Sequence, residues 1–548
     1  HGVGSGKTVS AINIYNVLFN FTPKWNVFLL IPASLRNDPW LKDLGNWLEK
    51  SDKDLRMKNI HFVHYDSPFA DRDFLDKVNK VDVTKGTLYI FDEAHNFIRN
   101  VYNNISSKKG KRAQVIYDYI QQEKKDNNNT RVVMLTATPA VNTPYEYALY
   151  FNLMRPGSFP ESEAIFNQLY ISSTNFRSLN EETKNMFQRR IMGLASYYIG
   201  ATPDKFAQQT IHYKNIIMEK YHEDIYTHFE EIEEEKEKIR RRMARGKVGD
   251  EMSTYSSYTR QACNFVFPTL GTKITGEDRP RPGQFRVKDE DGEVIDEGKD
   301  IEKTIELKRS KQQVVDYMNA VNIYINTFIE HLKEIHRKDK DTNHTLKKDV
   351  EDFFKKYEGS FTKFYNESKN KSGLFNTLYM CSPKFIHIIF NILKSKGPVL
   401  VYSNYVAMEG LQIFKIYLNF FGFLSLDDDK EVDNGTIDSL KSTKLSKNGH
   451  RFIEFHGGID KELREKNKKI YNDSLNKEGN LVKIIMISPA GTEGISLRNT
   501  RQVHIIEPYW NEVRIEQIIG RAIRICSHKD IPMNERHVDV FRYKMVRS

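Results

Sequence analysis

Short apolar runs alternate with longer segments of helical periodicity over the first part of the chain. The runs at 27–31, 87–91 and 131–135 are rich in β-branched and aromatic residues, and each is followed by a polar segment. Continuous apolar runs of this length are typical of parallel strands buried on both faces, whose carboxyl ends carry the functional residues. The pattern therefore predicts an α/β lobe over residues 1–213.

The same alternation returns near Phe375. Apolar runs at 397–402, 451–455, 482–487 and 502–506 predict the strands of a second parallel sheet. The predicted fold class is α/β, with two lobes of parallel sheet flanked by helices and a cleft between them. The second lobe is expected to span residues 375–548.

The segment between the lobes, residues 214–374, has a different character and is predicted to be a largely helical, charged insertion. Residues 230–245 are acidic first and basic afterwards, which suits a helix dipole and allows a Glu234–Lys238 pair. We interpret this helix as a solvated surface feature; a DNA-gripping arm is the alternative. Residues 272–300 predict a loop or disordered strip, 312–365 a second helical stretch, and 427–448 a surface insertion in the second lobe.

Composition limits the function classes. A chain of 548 residues is too long for a single hydrophobic core and suits two or three domains. It has 39% hydrophobic and 28% charged residues and no long apolar run, so no membrane partner is expected. Three widely spaced cysteines give no disulfide framework or zinc site, which favours an intracellular, reducing location. The net charge of +10 fits a polyanion partner, although the basic and acidic residues are interleaved.

A glycine-rich phosphate loop stands at the start of the sequence. It consists of Gly4, Ser5, Gly6, Lys7 and Thr8. Glycines let backbone amides close around phosphates, the lysine meets the β- and γ-phosphates, and the hydroxyl binds Mg²⁺, so ATP and Mg²⁺ are the predicted cofactors. The usual first glycine is replaced by His1, and the strand that normally precedes such a loop is expected upstream of the given residues.

Two adjacent acids follow the strand predicted at 87–91. Asp92 is the candidate Mg²⁺ ligand and Glu93 the candidate base that orients or deprotonates the attacking water. An acidic helix N-cap is the alternative reading, because both residue types suit a first helical turn. Position after a buried strand, downstream of a phosphate loop, favours the catalytic interpretation. We assign His95, Thr136 and Thr138 a coupling role, although threonines in such turns often bond only to local backbone groups.

The second lobe carries the remaining candidates. Ser403, Gly491 and Thr492 are predicted to contact a nucleic-acid backbone, and Gly494 is predicted to contribute to the nucleotide site. Gln517, Arg521 and Arg524 are predicted on one helix, with the two arginines at i and i+3 on one face. A surface salt-bridge stripe is the alternative, but we interpret the arginines as fingers that reach the γ-phosphate.

These motifs, in this order, resemble those of superfamily 2 helicases, and the flanking segments resemble the Swi/Snf-type branch. The segments similar to that branch are 31–35 with Trp40 and Trp47, 135–142 with Glu146 and 152–157, 455–458, and 507–511 with 517–525. They cover nearly all of both lobes and none of residues 214–374. The resemblance implies RecA-like lobes and a DEAH-box ATPase.

Within this branch, the run at 490–497 resembles the ATPases that large cytoplasmic DNA viruses use in transcription, the nucleoside triphosphatase I and early transcription factor small subunit group. The resemblance implies a DNA-dependent ATPase that acts with viral RNA polymerase in a cytoplasmic factory and in the virion. Three functions stay open: a duplex DNA translocase, a strand-separating RNA or DNA helicase, and a nucleotide-dependent assembly factor that closes on a protein partner.

Overall fold

The computed structural model describes residues 6–22, 24–82, 85–107, 110–140, 143–172, 178–197, 205–243, 257–271, 274–285, 311–426, 451–489, 495–508 and 512–548. Gly4, Ser5, Gly491, Thr492 and Gly494 lie outside these ranges, as does the insertion predicted at 427–448. The chain divides into two compact units, His1–Thr202 with Asn511–Gly520, and Pro203–Trp510 with Arg521–Ser548.

The first unit contains a parallel sheet of four strands in the order β2-β1-β3-β4. The strands are β1 Asn26–Ile31, β2 Ile60–His64, β3 Thr87–Asp92 and β4 Thr130–Leu135. Strands β1, β3 and β4 confirm the three predicted apolar runs. Strand β2 was not predicted, because polar histidines interrupt its apolar residues and its burial is incomplete.

Helices cover both faces of this sheet. Its helices are α1 Lys7–Phe21, α2 Lys42–Trp47, α3 Lys53–Lys58, α4 Ala70–Val78, α5 Ala94–Ser107, α6 Arg112–Asp126, α7 Tyr145–Met154, α8 Glu163–Tyr170 and α9 Lys184–Ile191, with short turns of helix at Ala33–Leu35 and Arg36–Leu41. Alternate residues of β1 enter different cores: Val27 and Leu29 pack with α1, and Phe28 and Leu30 with α4 and α5. Burial on both faces explains why the strand is apolar throughout.

The second unit contains a parallel sheet of seven strands in the order β5-β11-β10-β6-β9-β8-β7. The strands are β5 Gln208–Ile217, β6 Val399–Tyr402, β7 Leu424–Ser425, β8 Arg451–Phe455, β9 Ile484–Ile487, β10 Gln502–Ile505 and β11 His537–Val546. The four predicted runs are confirmed as β6, β8, β9 and β10. Two parallel sheets flanked by helices confirm the predicted fold class.

The position of β5 corrects the predicted end of the first lobe. That lobe was expected to extend to residue 213, but β5 pairs with β11 over its whole length, from Gln208 opposite His537 to Ile217 opposite Val546. Most of β5 is exposed, so its sequence lacks the continuous apolar run that marks a central strand. Its partner lies more than three hundred residues away in sequence, and apolar periodicity carries no information about such a pairing.

The helices of the second unit include those between the predicted lobes. They are α10 Lys220–Met243, α11 Ser257–Ala262, α12 Lys311–Asp341, α13 Leu346–Lys355, α14 Phe361–Glu367, α15 Gly373–Cys381, α16 Pro383–Leu393, α17 Leu411–Phe420 and α18 Lys461–Tyr471, with short turns at Pro282–Phe285, Ser474–Asn476 and Met533–Glu535. The last helix, α19 Glu512–Ala522, belongs to the first unit up to Gly520. The unit division falls within α19. Among the described residues, no helix combines the length and apolar character that a membrane span requires.

The helices between residues 214 and 374 share a core with the second sheet. Phe265, Phe328 and Phe364 belong to the same buried cluster as Val399 and Val401 of β6. The Glu234–Lys238 pair forms at 3.7 Å on the exposed part of α10, where such a pair stabilises little. Residues 272–300 were predicted to be a loop or disordered. Within them, residues 274–285 form an ordered loop, which a buried ion pair between Arg279 and Glu409 anchors. Residues 286–300 lie outside the described ranges.

Candidate active site

The phosphate loop ends at the start of α1. Gly6 adopts φ 82° and ψ 28°, a left-handed conformation that residues with a Cβ rarely adopt. Lys7 and Thr8 form the first helical residues, and the first turn contains no acidic side chain. The positive end of the helix dipole and the lysine charge therefore coincide, which favours binding of an anion such as a triphosphate.

Asp92 and Glu93 occupy the carboxyl end of β3. Asp92 is the last residue of the strand and only 5% exposed. Glu93 adopts φ 47°, a left-handed conformation that costs free energy for a residue other than glycine, and its backbone N–H donates to Asp92 Oδ1 at 2.9 Å. The strand end thus turns sharply and fixes both carboxyl groups at one edge of the sheet.

Two aromatic residues hold this turn. The indole N–H of the fully buried Trp40 donates to Asp92 Oδ2 at 2.9 Å. The hydroxyl of Tyr65 lies 3.0 Å from the carbonyl oxygen of Asp92 and 3.1 Å from that of Glu93. Trp40 was expected only as part of a segment similar to the Swi/Snf-type branch, and Tyr65 was not predicted as a functional residue. The available signal was weak: a buried indole or phenol needs a hydrogen-bond partner, but the sequence does not say which.

The surroundings of Asp92 shift its pKa in opposite directions. Burial, followed by the neighbouring Glu93 charge, raises the pKa of Asp92 above its usual range. The hydrogen bonds from Trp40 and from the Glu93 amide, and the positive charge of Lys7, act in the opposite direction. A buried carboxyl group with a raised pKa is a good ligand for a divalent cation, because the cation would favour the ionised form of the carboxyl group. Asp92 and Thr8, the predicted metal ligands, therefore fit Mg²⁺ chemically.

The structure brings the three residues that were assigned a coupling role close together. His95 Nδ1 lies 3.1 Å from Thr136 Oγ1 and 3.5 Å from Glu93 Oε2. Thr138 contributes its backbone N–H, which donates to Thr136 Oγ1 at 3.0 Å. His95 therefore connects the candidate base to the turn after β4, whereas the Thr138 side chain takes no part in this hydrogen-bond chain.

A cavity of about 1240 Å³ adjoins this site within the first unit. Its lining includes Lys7, Ser10 and Thr136 together with residues 132–135 of β4, and most of its lining residues are apolar. The cavity is therefore continuous with the candidate phosphate site through Lys7.

The arginines near the end of α19 are placed differently from the prediction. The helix ends at Ala522, so Arg521 lies in its last turn and Arg524 lies beyond it. The two arginines therefore do not share a helical face, contrary to the prediction. The carbonyl oxygen of Arg521 accepts from Leu497 N at 2.9 Å, and the Arg524 guanidinium donates to Ser496 Oγ. Both arginines are thus tied to the segment that follows residues 490–494. Gln517 is half-buried on the same helix.

Ser403 also departs from its predicted role. It follows β6, is fully buried, and its hydroxyl donates to Glu507 Oε1 at 2.6 Å. A hydroxyl in this position is not accessible to a nucleic-acid phosphate. The direct contact predicted for Ser403 therefore does not fit the geometry. Glu507 received no role from the sequence beyond its place in a resembling segment.

Comparison with known proteins places these features in a family context. Residues 1–266 match the family described as SNF2-related domain, and residues 384–526 match the helicase conserved C-terminal domain. A protein of Acanthamoeba polyphaga mimivirus named as an ATP-dependent RNA helicase is 46% identical over 561 residues. The match covers 100% of this chain and 65% of that protein, so the chain spans about two thirds of the relative's length.

More distant relatives have similar coverage. Nucleoside triphosphatase I of Choristoneura fumiferana entomopoxvirus is 25% identical over 553 residues, covering 98% of this chain and 68% of that protein. Among solved structures, the helicase domain of Pyrococcus furiosus Hef matches with 13% identity and a TM-score of 0.40, covering 99% of this chain and 91% of that chain.

Proposed function

The chain belongs to the SNF2-related, helicase-type ATPases of superfamily 2, and from this premise we propose that it is a DNA-dependent ATPase that moves along duplex DNA. The observation that supports hydrolysis most strongly is the turn at Asp92 and Glu93. Two carboxyl groups are held at one strand end, and the charge of Lys7 acts on Asp92.

In the proposed reaction, Gly6 and the first amides of α1 surround the phosphates, and the Lys7 ammonium neutralises the β- and γ-phosphate charge. Thr8 and Asp92 would hold Mg²⁺, which supplies neutralisation of the phosphate oxygens. Glu93 orients the attacking water and accepts its proton, and His95 connects Glu93 to Thr136. Arg521 and Arg524 stabilise the charge on the transferring phosphoryl group.

Duplex DNA is the proposed substrate because residues 1–266 match an SNF2-related domain. The segments that resemble the Swi/Snf-type branch led to the same expectation. Gly491, Thr492 and Gly494 are proposed to complete the backbone and nucleotide contacts. We further propose a role in the transcription of a large DNA virus, with viral RNA polymerase as partner and the cytoplasmic factory and virion as locations. The viral origin of the relatives, a mimivirus and an entomopoxvirus, is compatible with this proposal.

An RNA or DNA helicase that separates strands is the second candidate. It is favoured by one specific observation, the name ATP-dependent RNA helicase carried by the relative with 46% identity. The two candidates differ in the polymer that accelerates hydrolysis and in whether strands separate.

The test is the rate of ATP hydrolysis by the full-length protein with duplex DNA, single-stranded DNA and RNA. The proposal expects the largest stimulation from duplex DNA, without release of a labelled strand. Stimulation by RNA with strand release would replace it by the helicase, and no stimulation by any polymer would favour the assembly factor. Affinity for duplex DNA should also fall steeply with salt, since phosphate contacts release counterions.

A further inference from the structure

Glu507 is a buried carboxylate with an unusually complete set of donors. It is 1% exposed and lies just beyond β10. Oε1 accepts from Ser403 Oγ and Asn264 Nδ2, each at 2.6 Å, and Oε2 accepts from the Asn404 backbone N–H at 2.8 Å. A carboxylate can be buried at modest cost only when donors replace its hydration in this way.

The donors connect two neighbouring strand ends. Ser403 and Asn404 follow β6, and β6 pairs with β10 in parallel, so Glu507 joins the two carboxyl ends directly. In α/β sheets, ligands bind outside the carboxyl ends of the strands. Asn404 is half-exposed at this edge, whereas Ser403 and Glu507 are buried beneath it. Glu507 therefore sets the position of backbone that a ligand of this edge would contact.

Asn264 supplies a donor from outside the sheet. It lies in the segment between the two predicted lobes, after α11, and is fully buried. Its Oδ1 accepts from Lys384 Nζ at 3.0 Å, and the same ammonium donates to the Ile506 carbonyl at 3.1 Å. Ser382 Oγ donates to the Asn264 carbonyl oxygen. The Asn264 amide is thus held from several sides and has one orientation that satisfies both Lys384 and Glu507.

Helix α10 is tied to the same segment. The Glu233 carboxylate accepts from the Tyr258 backbone N–H and from Thr259 Oγ1, each at 2.7 Å, at the start of α11. His222 Nε2 lies 2.6 Å from the Ala262 carbonyl oxygen. These contacts hold α10 against residues 258–262, and Asn264, two residues further along the chain, donates to Glu507. The segment between the lobes is therefore connected to the strand ends through Asn264.

We propose that Asn264 is a positioning residue of the nucleic-acid interface: its amide orients Glu507, and Glu507 sets the backbone of residues 403–404 at the edge of the second sheet. This inference rests on the proposed function, because it assigns the ligand of that edge to a nucleic-acid backbone. Asn264 does not touch the nucleic acid. It makes the segment between the lobes a determinant of nucleic-acid affinity.

The experiment compares the wild-type full-length protein with Asn264→Ala. The readouts are the duplex DNA concentration that gives half-maximal ATPase stimulation and the dissociation constant of a fluorescently labelled duplex without ATP. Both should rise roughly tenfold, since a buried carboxylate loses a donor and a buried ammonium loses an acceptor. The maximal rate should change much less than either constant. An unchanged half-maximal concentration with stimulated wild-type protein would overturn this inference and leave the proposed function intact.

Asn476→Ala is the matched control. Asn476 is a fully buried asparagine of the same unit, and its side chain bonds to the Tyr471 and Val482 carbonyls and to the Leu481 and Val482 amides. It lies before β9, at the amino edge of the sheet. This variant should lower the urea midpoint of unfolding without weakening duplex binding. Equal weakening of binding by both variants would reduce Asn264 to a general stabilising residue and overturn the inference.

Ser403→Ala gives a second route if Asn264→Ala does not fold. It removes a donor to the same Glu507 oxygen and should raise the half-maximal concentration about threefold. The double variant should show less than the product of the single effects, because both side chains act through Glu507. Fully multiplicative effects, or no effect of Ser403→Ala, would contradict the inference. If no polymer stimulates the wild-type protein, the proposed function fails and this inference fails with it.

Discussion

Asp92 and Glu507 are buried carboxylates at the carboxyl ends of strands in two different parallel sheets, but their surroundings differ. The carboxylate of Asp92 accepts from the Trp40 indole and the Glu93 amide, and burial beside Glu93 raises the pKa of Asp92. Glu507 accepts from Ser403, Asn264 and Asn404. An incompletely compensated carboxylate suits a cation and reaction chemistry, whereas a fully bonded one suits the positioning of neighbouring backbone.

Among the variants that test this comparison, Lys7→Ala should have the largest effect on ATP hydrolysis. Lys7→Ala removes the charge that acts on Asp92 and on the triphosphate, so ATP hydrolysis by the full-length protein should become undetectable in a phosphate-release assay. Lys24→Ala, an exposed lysine of the same unit, serves as control. Retained turnover in Lys7→Ala would remove Lys7 from the proposed mechanism.

Arg524→Ala and Arg521→Ala should each lower the rate at saturating ATP about a thousandfold if the arginines stabilise the transferring phosphoryl group. Binding of a fluorescent ATP analogue should change far less. Arg498→Ala, an exposed arginine close in sequence, should leave both values near those of the wild-type protein. A variant that loses ATP affinity and keeps its rate would make its arginine a binding residue.

Glu93→Gln tests the catalytic side of the comparison alone. The amide keeps the shape of the side chain but cannot accept the proton of water, so the rate should fall about a hundredfold to a thousandfold with ATP binding retained. The check is single-turnover hydrolysis alongside nucleotide affinity. A normal kcat would assign the base to another group.

Trp40→Phe should weaken Mg²⁺ binding, because it removes one of the hydrogen-bond donors to Asp92. The Mg²⁺ concentration for half-maximal activity should rise about tenfold or somewhat more, as is usual for partners that orient a metal ligand. Mn²⁺ binding measured by electron paramagnetic resonance gives a readout independent of turnover. Trp25→Phe is the matched control, because Trp25 belongs to the same buried cluster. Equal effects of both variants would indicate lost packing only.

The smallest predicted effect concerns acid stability of the second unit. Burial lowers the pKa of His222 to about 4, whereas an unfolded histidine titrates near 6.5. The stability that the neutral ring maintains is complete above pH 6.5 and is lost as pH falls from 6.5 towards 4, because the unfolded chain binds the proton first. Between pH 7.5 and 5, His222→Gln should lose about 1–2 kcal/mol less stability than the wild-type protein in urea unfolding. Equal losses would contradict the assignment.

The sequence predicted those parts of the molecule that local patterns determine. Seven strands followed from apolar runs, and Lys7, Asp92 and Glu93 followed from motifs at strand and helix ends. These signals are local, because burial on both faces fixes the composition of a strand and phosphate chemistry fixes the residues of the loop.

Features that depend on distant partners were not predicted. Strand β5 pairs with β11 across more than three hundred residues, and the buried Ser403 hydroxyl donates to Glu507, which follows a different strand. Trp40 and Tyr65 reach Asp92 from separate elements, and no spacing in the sequence marks such contacts. Arg524 fell outside its helix because helix ends are the least certain feature of a periodic pattern.

The most direct test measures ATP hydrolysis against duplex DNA concentration for the wild-type protein, Glu93→Gln and Asn264→Ala. We predict that Glu93→Gln lowers the plateau and keeps the midpoint, whereas Asn264→Ala moves the midpoint to higher DNA concentration with a much smaller change of the plateau. If both variants change the same parameter, or if duplex DNA does not stimulate the wild-type protein, the division between a reacting carboxylate and a positioning carboxylate is wrong.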